Sequence, residues 1–318
     1  MREIGKGATM MKEKIEALKR QIMEYFVGKE SVATDVLVCL LAGGHVLLED
    51  VPGVGKTTLA RTLAKSVKCD FGRIQFTPDT LPGDVIGTTI YNMKTGEFVY
   101  REGAVMHQIL LADEINRTSP KTQSALLEAM AEGQVTVDGK AYALPAPFMV
   151  IATQNPVEFL GTYPLPEAQM DRFMMRLSLG YPEEGEELRL AKNFLDGKMD
   201  GEIPSVCETG DILEMKKAVT QIKLSDGVVK YVRDVIQITR NEKSFVLGAS
   251  PRAMLALIRA SQAKAFLADR DFVKPDDVKA VAVNVLHHRL SLTPEAKIRK
   301  EDVDRLLKEL VLKVKIPM

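Results

Sequence analysis

The segment Asp50-Val-Pro-Gly-Val-Gly-Lys-Thr57 restricts the fold of this chain more than any other. Before it, His45-Val-Leu-Leu-Glu49 is a short apolar run of strand character. After it, Thr58-Leu-Ala-Arg-Thr-Leu-Ala-Lys65 has helical spacing. Strand, tight glycine loop and helix start form the setting of a phosphate cradle, in which backbone N–H groups and the positive end of a helix face an anion. Gly53 and Gly55 permit the backbone angles that turn several amides inward. Lys56 is then placed to reach the β- and γ-phosphates of a nucleotide, and the Thr57 hydroxyl to ligate Mg²⁺. The strict pattern opens on Gly, and Asp50 stands there instead, so a ligand-free glycine turn is the competing reading of the loop alone.

Further apolar runs of strand length lie at Gly72–Phe76, Gln108–Ala112, Phe148–Ala152 and Met175–Leu179. Helical patterns fall at Lys12–Phe26, Glu30–Ala42, Thr57–Val67 and Lys121–Glu132. Strands alternating with helices imply a parallel sheet covered on both faces. After Tyr181-Pro182 the strand signal stops, and helical patterns recur at 186–195, 211–219, 226–239, 251–267, 275–286 and 301–312. The expected architecture is an α/β core over 1–181 followed by a small all-helical domain over 182–318.

Two more strand ends carry polar chemistry. Ile109-Leu-Leu-Ala-Asp-Glu114 ends in two acids, with Asp113 suited to the outer shell of Mg²⁺ and Glu114 to polarising an attacking water. Ligands of open α/β sheets bind at such strand ends. Val150-Ile-Ala-Thr-Gln-Asn155 ends in an amide that could orient the water or meet a γ-phosphate; with Pro156 following, a plain turn residue is the alternative.

Together these segments resemble the AAA+ ATPases, and within them the MoxR family. The residues carrying the resemblance are LLEDVPGVGKTTLA (47–60), LADEINRTSPKTQSALLEAMAEGQVTVDG (111–139), ATQNPVEFLGTYPLPEAQMDRF (152–173) and GASPRA (248–253). The likeness covers nearly the whole chain, and Asp50 in place of Gly is usual in that family. It implies an AAA+ P-loop core with a helical lid, binding ATP and Mg²⁺ and hydrolysing ATP. By similarity Gly53, Val54, Gly55, Lys56, Thr57 and Thr58 form Walker A, with Val27 and Gly28 on the adenine side. Asp113 and Glu114 form Walker B, with Thr57 and Asp113 serving the metal, and Asn155 is sensor 1. Arg172 sits where the group places an arginine finger that reaches a neighbouring subunit. A salt bridge to Asp171 or Glu167 is the other reading, and Arg117 and Arg176 are rival fingers. Arg252 matches sensor 2, following Ser250 and Pro251 as helix cap and first helical residue. Two hairpins, a helix 2 insert at about 88–103 and a pre-sensor 1 hairpin at about 134–145 around Asp138-Gly139, complete the pattern.

The resemblance further implies a homo-oligomeric ring, expected to be a hexamer. It also implies a chaperone-like role on a client or adaptor protein, such as one with a von Willebrand A domain or a metal cofactor. A nucleic-acid motor or loader of the same clade and a scaffold without turnover are the alternatives. Lys plus Arg equal Asp plus Glu at 43 each, and residues 1–180 hold 19 basic and 21 acidic, so no half forms a basic block that would favour nucleic acid. Cys39, Cys69 and Cys207 have no paired spacing, and His45, His287 and His288 have no metal spacing, so these are read as structural. The N-terminal segment lacks the apolar stretch of a secretory leader and no run is long enough to span a bilayer, so a cytoplasmic protein is expected.

Overall fold

The computed structural model describes residues 2–156, 161–197 and 201–316. Residues 157–160, part of the segment 152–173 singled out above, lie outside the described residues. The chain forms two compact units interleaved in sequence. The first comprises Met1–Thr34, His45–Leu165 and Leu177–Leu213; the second comprises Asp35–Gly44, Pro166–Arg176 and Glu214–Met318.

In chain order, the first stretch contains α1 (Arg2–Tyr25), α2 (Glu30–Ala42), β1 (Val46–Glu49), α3 (Lys56–Ser66), β2 (Phe71–Gln75), α4 (Pro82–Ile86), β3 (Thr88–Asn92) and β4 (Glu97–Arg101). Then come β5 (Ile109–Asp113), α5 (Pro120–Glu132), β6 (Gln134–Val137), β7 (Lys140–Ala143), β8 (Met149–Gln154), α6 (Glu167–Met170), β9 (Met175–Leu177) and α7 (Glu184–Leu195). Five strands make one sheet in the order β2-β5-β8-β1-β9, and the pairs β2–β5, β5–β8 and β1–β8 are parallel. Every residue of β5 is buried, as are the first five of β8, because a parallel sheet covered on both faces needs apolar side chains at successive positions. The register aligns Glu49 with Gln154, and Gln75 with Asp113, so the carboxyl ends of β1, β2, β5 and β8 open on one edge of the sheet. That edge is where open α/β sheets bind ligands.

Helix α5 shows how local chemistry fixes an element. The Ser119 hydroxyl accepts from Thr122 N at 3.3 Å, Pro120 occupies the first turn, and Gly133 closes the helix in the left-handed conformation (φ 63°). Two antiparallel ribbons stand apart from the sheet: β3–β4, running from Thr88↔Arg101 to Asn92↔Glu97, and β6–β7, turning at Asp138-Gly139 with positive φ at both. Positive φ at both central residues is what a tight two-residue hairpin requires.

The second unit holds α9 (Asp226–Asn241), α10 (Pro251–Leu267), α11 (Pro275–Leu286), a 3-10 turn at His287–Arg289, α12 (Pro294–Ile298) and α13 (Val303–Lys313), preceded by α8 (Thr209–Thr220). Val228, Tyr231, Val232, Val235, Ile236 and Thr239 form the buried face of α9 at helical spacing. Between these helices lies a feature absent from the sequence reading: β10 (Phe245–Leu247) pairs antiparallel with β11 (Ser291–Leu292). In β10 only Phe245 is buried, while Val246 and Leu247 are exposed, so there was no alternation to read. The unit remains a helical lid carrying one short ribbon.

Candidate functional site

β1 delivers the chain into the loop 50–55, and Asp50 N donates to Gln154 O at 3.3 Å. Gly53 (φ 87°) and Gly55 (φ 93°) are left-handed, where a side chain would strain the backbone. α3 then begins at Lys56 behind Gly55, with no side chain capping it, so its first N–H groups have no partner from a cap side chain. Lys56 Nζ donates to the Asp50 carbonyl at 2.8 Å. Burial pushes the Lys56 ammonium below its ordinary pKa, while the negative charges of Asp50, Asp113 and Glu114 pull it back up.

The carboxylate of Asp50 faces the segment following β9. It accepts from Ser178 Oγ (2.8 Å), Leu179 N (2.6 Å) and Gly180 N (3.0 Å) and is buried at 6% exposure. Asp50 thus ties the loop's first residue to residues 178–180 with its side chain, and holds Lys56 with its backbone.

At the end of β5, Asp113 is buried and Glu114 takes a left-handed backbone (φ 56°). Thr153 of β8 links them, accepting from Glu114 N (2.9 Å) and donating to Asp113 Oδ1 (3.2 Å). Asp113 Oδ2 also accepts from Arg73 Nε at 2.8 Å. Glu114 Oε2 accepts from Gln75 Nε2 (2.8 Å) and Arg117 Nη1 (3.0 Å). Arg73, Gln75 and Thr153 were missed from sequence. The first two sit two apart on β2, so strand alternation puts both on one face beside Asp113, a signal available once the pairing is known. Asn155 is buried immediately beyond β8.

A cavity of about 840 Å³ opens beside the loop, within the range of small-molecule sites. Its walls include Tyr25, Phe26, Val27, Gly53, Val54, Gly55, Thr57, Thr58, Arg61, Pro182 and Arg189. Val27 and five residues of the glycine loop and the start of α3 thus meet on one cavity. Gly28 lies against its wall, where a Cβ would come within 2.5 Å of the buried Phe26 ring. Arg189, which also lines the cavity, donates to the carbonyls of Met23 and Glu24 at the end of α1.

The donor set suits Mg²⁺ shared with phosphate. No group of three or more His, Cys, Asp or Glu positioned to hold a metal occurs among the described residues. Mg²⁺ commonly keeps several waters and takes one or two protein oxygens alongside substrate phosphates, a demand that a hydroxyl such as Thr57 and a buried carboxylate such as Asp113 can meet.

The arginines differ in their surroundings. Arg117 is engaged with Glu114 of its own chain. Arg172 Nε is buried without a hydrogen-bond partner; the Asp171 carboxylate is taken by Arg289 (2.5 Å), and that of Glu167 by Ser291. The salt bridge to Asp171 or Glu167 is therefore not formed. Arg176 is half-buried. Arg252 is exposed at the start of α10, behind Ser250, whose hydroxyl accepts from Ala253 N at 3.1 Å. In the first unit, Tyr100 of β4 stacks on Tyr142 of β7 with centroids 4.0 Å apart, joining the two ribbons.

Comparison with known proteins agrees with this geometry. Residues 45–175 match the family described as ATPases associated with various cellular activities, and residues 237–310 match the AAA lid domain. The chain is 51% identical to the uncharacterized protein YeaC of Bacillus subtilis over 93% of each chain. It is 43% identical to Chaperone MoxR1 of Mycobacterium tuberculosis, over 91% of this chain and 80% of that one. It is 32% identical to Protein MoxR of Paracoccus denitrificans, over 84% and 85%. The crystal structure of a protein from Cytophaga hutchinsonii assigned as an ATPase superposes with a TM-score of 0.93 at 39% identity, covering 100% of this chain and 99% of that one.

Proposed function

Because this chain belongs to the MoxR family of AAA+ ATPases, we propose that it hydrolyses Mg²⁺-bound ATP in a homo-oligomeric ring, a hexamer, and uses turnover to remodel or mature a client protein. The observation that carries this reading is the convergence on Lys56: its ammonium is anchored to the Asp50 carbonyl and lies in the field of Asp113 and Glu114, at the edge of the sheet. Phosphoryl transfer to water needs little covalent help and much positioning and charge stabilisation.

In this scheme Val27 and Gly28 border the base, and the amides of Gly53 to Thr58 hold the phosphates. Lys56 balances the charge of the transferred phosphoryl group. Thr57 and Asp113 would hold Mg²⁺, which neutralises phosphate charge when bound. Glu114 releases Gln75 or Arg117 and takes a proton from the attacking water, which Asn155 orients. Arg172 supplies positive charge to the site of the neighbouring subunit, and Arg252 contacts ATP from the lid of its own subunit. The proposed division of the sequence into core and lid at 181/182 is a division of the family pattern and differs from the interleaved compact units. No helix among the described residues is long and apolar enough to cross a membrane, and a cytoplasmic location is proposed.

The name Chaperone MoxR1 on a relative favours a protein client, with von Willebrand A domain or metalloprotein partners as the first to test. Affinity capture with Glu114→Gln held in ATP separates the readings. A trapped protein supports remodelling, whereas stimulation of ATPase by single-stranded DNA supports the nucleic-acid motor. Glu114→Gln is expected to bind ATP and to lose roughly 10²–10⁴ in turnover, the usual worth of a general base. Full activity in that variant removes Glu114 from the role, and negligible turnover of the parent with and without its client establishes a scaffold.

A further inference from the structure

The turn that carries Arg172 is held by residues more than a hundred positions later in the chain. After α6 the backbone turns through Asp171–Met174 and enters β9. In the same compact unit, Arg289 ends the 3-10 turn behind α11 and is 7% exposed. Its Nε donates to Asp171 Oδ1 at 2.5 Å, and its Nη2 to the carbonyls of Asp171 (3.2 Å) and Phe173 (2.6 Å). Nη1 donates to the Met174 carbonyl at 3.1 Å and to that of Val285 in α11. The adjoining His288 is buried, and its Nε2 lies 3.0 Å from the Phe173 carbonyl. Burial pushes the His288 pKa well down, so the ring is neutral, and a carbonyl can only accept; the Nε2–H therefore donates.

These bonds bracket Arg172. The backbone is gripped at the residue before it and at the two after it, while Arg172 Nε has no partner. The same guanidinium engages Oδ1 of Asp171, the acid adjoining Arg172 in sequence.

We propose that Arg289 is a positioning residue for Arg172: its guanidinium fixes the backbone on both sides of Arg172 and engages Asp171 in its place, leaving Arg172 available to a neighbouring subunit. This rests on the reading of Arg172 as the trans-acting arginine. A lysine at 289 keeps the charge but has three donors on one atom, and cannot span stations that a planar five-donor fork reaches together.

The test is steady-state ATPase of full-length Arg289→Lys, alone and mixed with Glu114→Gln subunits, with Arg172→Ala mixed likewise in parallel. Arg289→Lys is expected to lower kcat at least tenfold, while KM and the Kd for a fluorescent ATP analogue stay within twofold. The Glu114→Gln subunits cannot turn over but carry an intact Arg172 turn, so mixing restores activity to Arg289→Lys as it does to Arg172→Ala. A purely structural defect would not be repaired from next door. Retention of kcat within twofold in Arg289→Lys overturns the proposal. So does recovery in the Arg172→Ala mixture without recovery in the Arg289→Lys mixture, which leaves the role of Arg172 standing. Recovery in neither mixture removes the trans role of Arg172 and this inference with it. If Arg289→Lys lacks a cooperative melt, Asp171→Asn is read in the same assays: a trans-complementable kcat loss supports the proposal, and unchanged kcat overturns it.

Discussion

Replacing Asp50 with Gly restores the strict P-loop pattern, yet the structure predicts a weaker protein. The Asp50 carboxylate accepts from Ser178 Oγ, Leu179 N and Gly180 N, and the three donors are not equally dispensable. Leu179 is 4% exposed, so its N–H finds no water once the carboxylate is gone; orphaning a buried donor costs about 1–3 kcal/mol, and bonds to charged groups lie at the upper end. Ser178 is exposed and Gly180 half-buried, so each loses a fraction of that. The sum is about 3 kcal/mol, and the added backbone freedom of glycine in the unfolded chain contributes about 0.4–1 kcal/mol more. At about 2–4 °C per kcal/mol for a unit of this size, Tm falls by about 7–16 °C. Asp50→Asn keeps one acceptor oxygen but presents an amide donor to a donor, and falls between parent and Asp50→Gly. The chain has no Trp, so the assay is urea unfolding followed by far-UV circular dichroism, with calorimetry for Tm. Nucleotide Kd is expected to stay within about threefold, because the carboxylate faces 178–180. A stability of Asp50→Gly within 0.5 kcal/mol of the parent, a bound set about the scatter of surface substitutions, would refute the clasp.

Other variants probe other parts. ATP at about 100 times its Kd adds about 2.7 kcal/mol to the parent; Lys56→Ala should lose that thermal shift, and an unchanged shift shows that phosphate affinity does not need the ammonium. Gly103→Ala places a Cβ 2.2 Å from Gly87 N and 2.4 Å from Val85 O, backbone atoms that cannot swing aside, so a loss of at least about 1–3 kcal/mol is expected in denaturant melts, and parent-like stability would contradict the packing. Burial pushes the Asp35 carboxyl above its ordinary value, with the Lys264 charge and the Asn284 hydrogen bond pulling it back. The folded state therefore binds that proton more tightly than the unfolded one, and the associated stability is present below the ordinary aspartate pKa and declines as pH rises through the raised value. Asp35→Asn should flatten that slope without loss at pH 7; a steeper slope than the parent's in melts from pH 3.5 to 7 would reverse the sign.

The fold was legible where periodicity runs long enough to count. The apolar runs that open β5 and β8, alternating with helices, specify a covered parallel sheet, and the spacing of α9 to α11 specifies a helical second unit. β10 and β11 were not legible, because strands of three and two residues carry too few positions for alternation and owe their existence to each other. In the candidate site, strand-end side chains are conspicuous because each follows its own apolar run. Their partners are not: Ser178, Leu179 and Gly180 lie 128 to 130 residues from Asp50, and Arg73 reaches Asp113 across 40. Which side chain occupies which carboxylate depends on the folded register. That is also why Asp171, the obvious local partner of Arg172, is bound to an arginine 118 positions away.

That separation has a consequence for synthesis. The Asp171–Met174 turn leaves the ribosome well before Arg289, and at about 5–20 residues per second the intervening 118 residues take roughly 6–24 s. During that interval the carbonyls of Asp171, Phe173 and Met174 lack their guanidinium, so a nascent or C-terminally truncated chain can complete the phosphate loop without completing this turn. Translation thus builds the glycine loop first, and the segment bearing Arg172 is finished only after Arg289 has emerged.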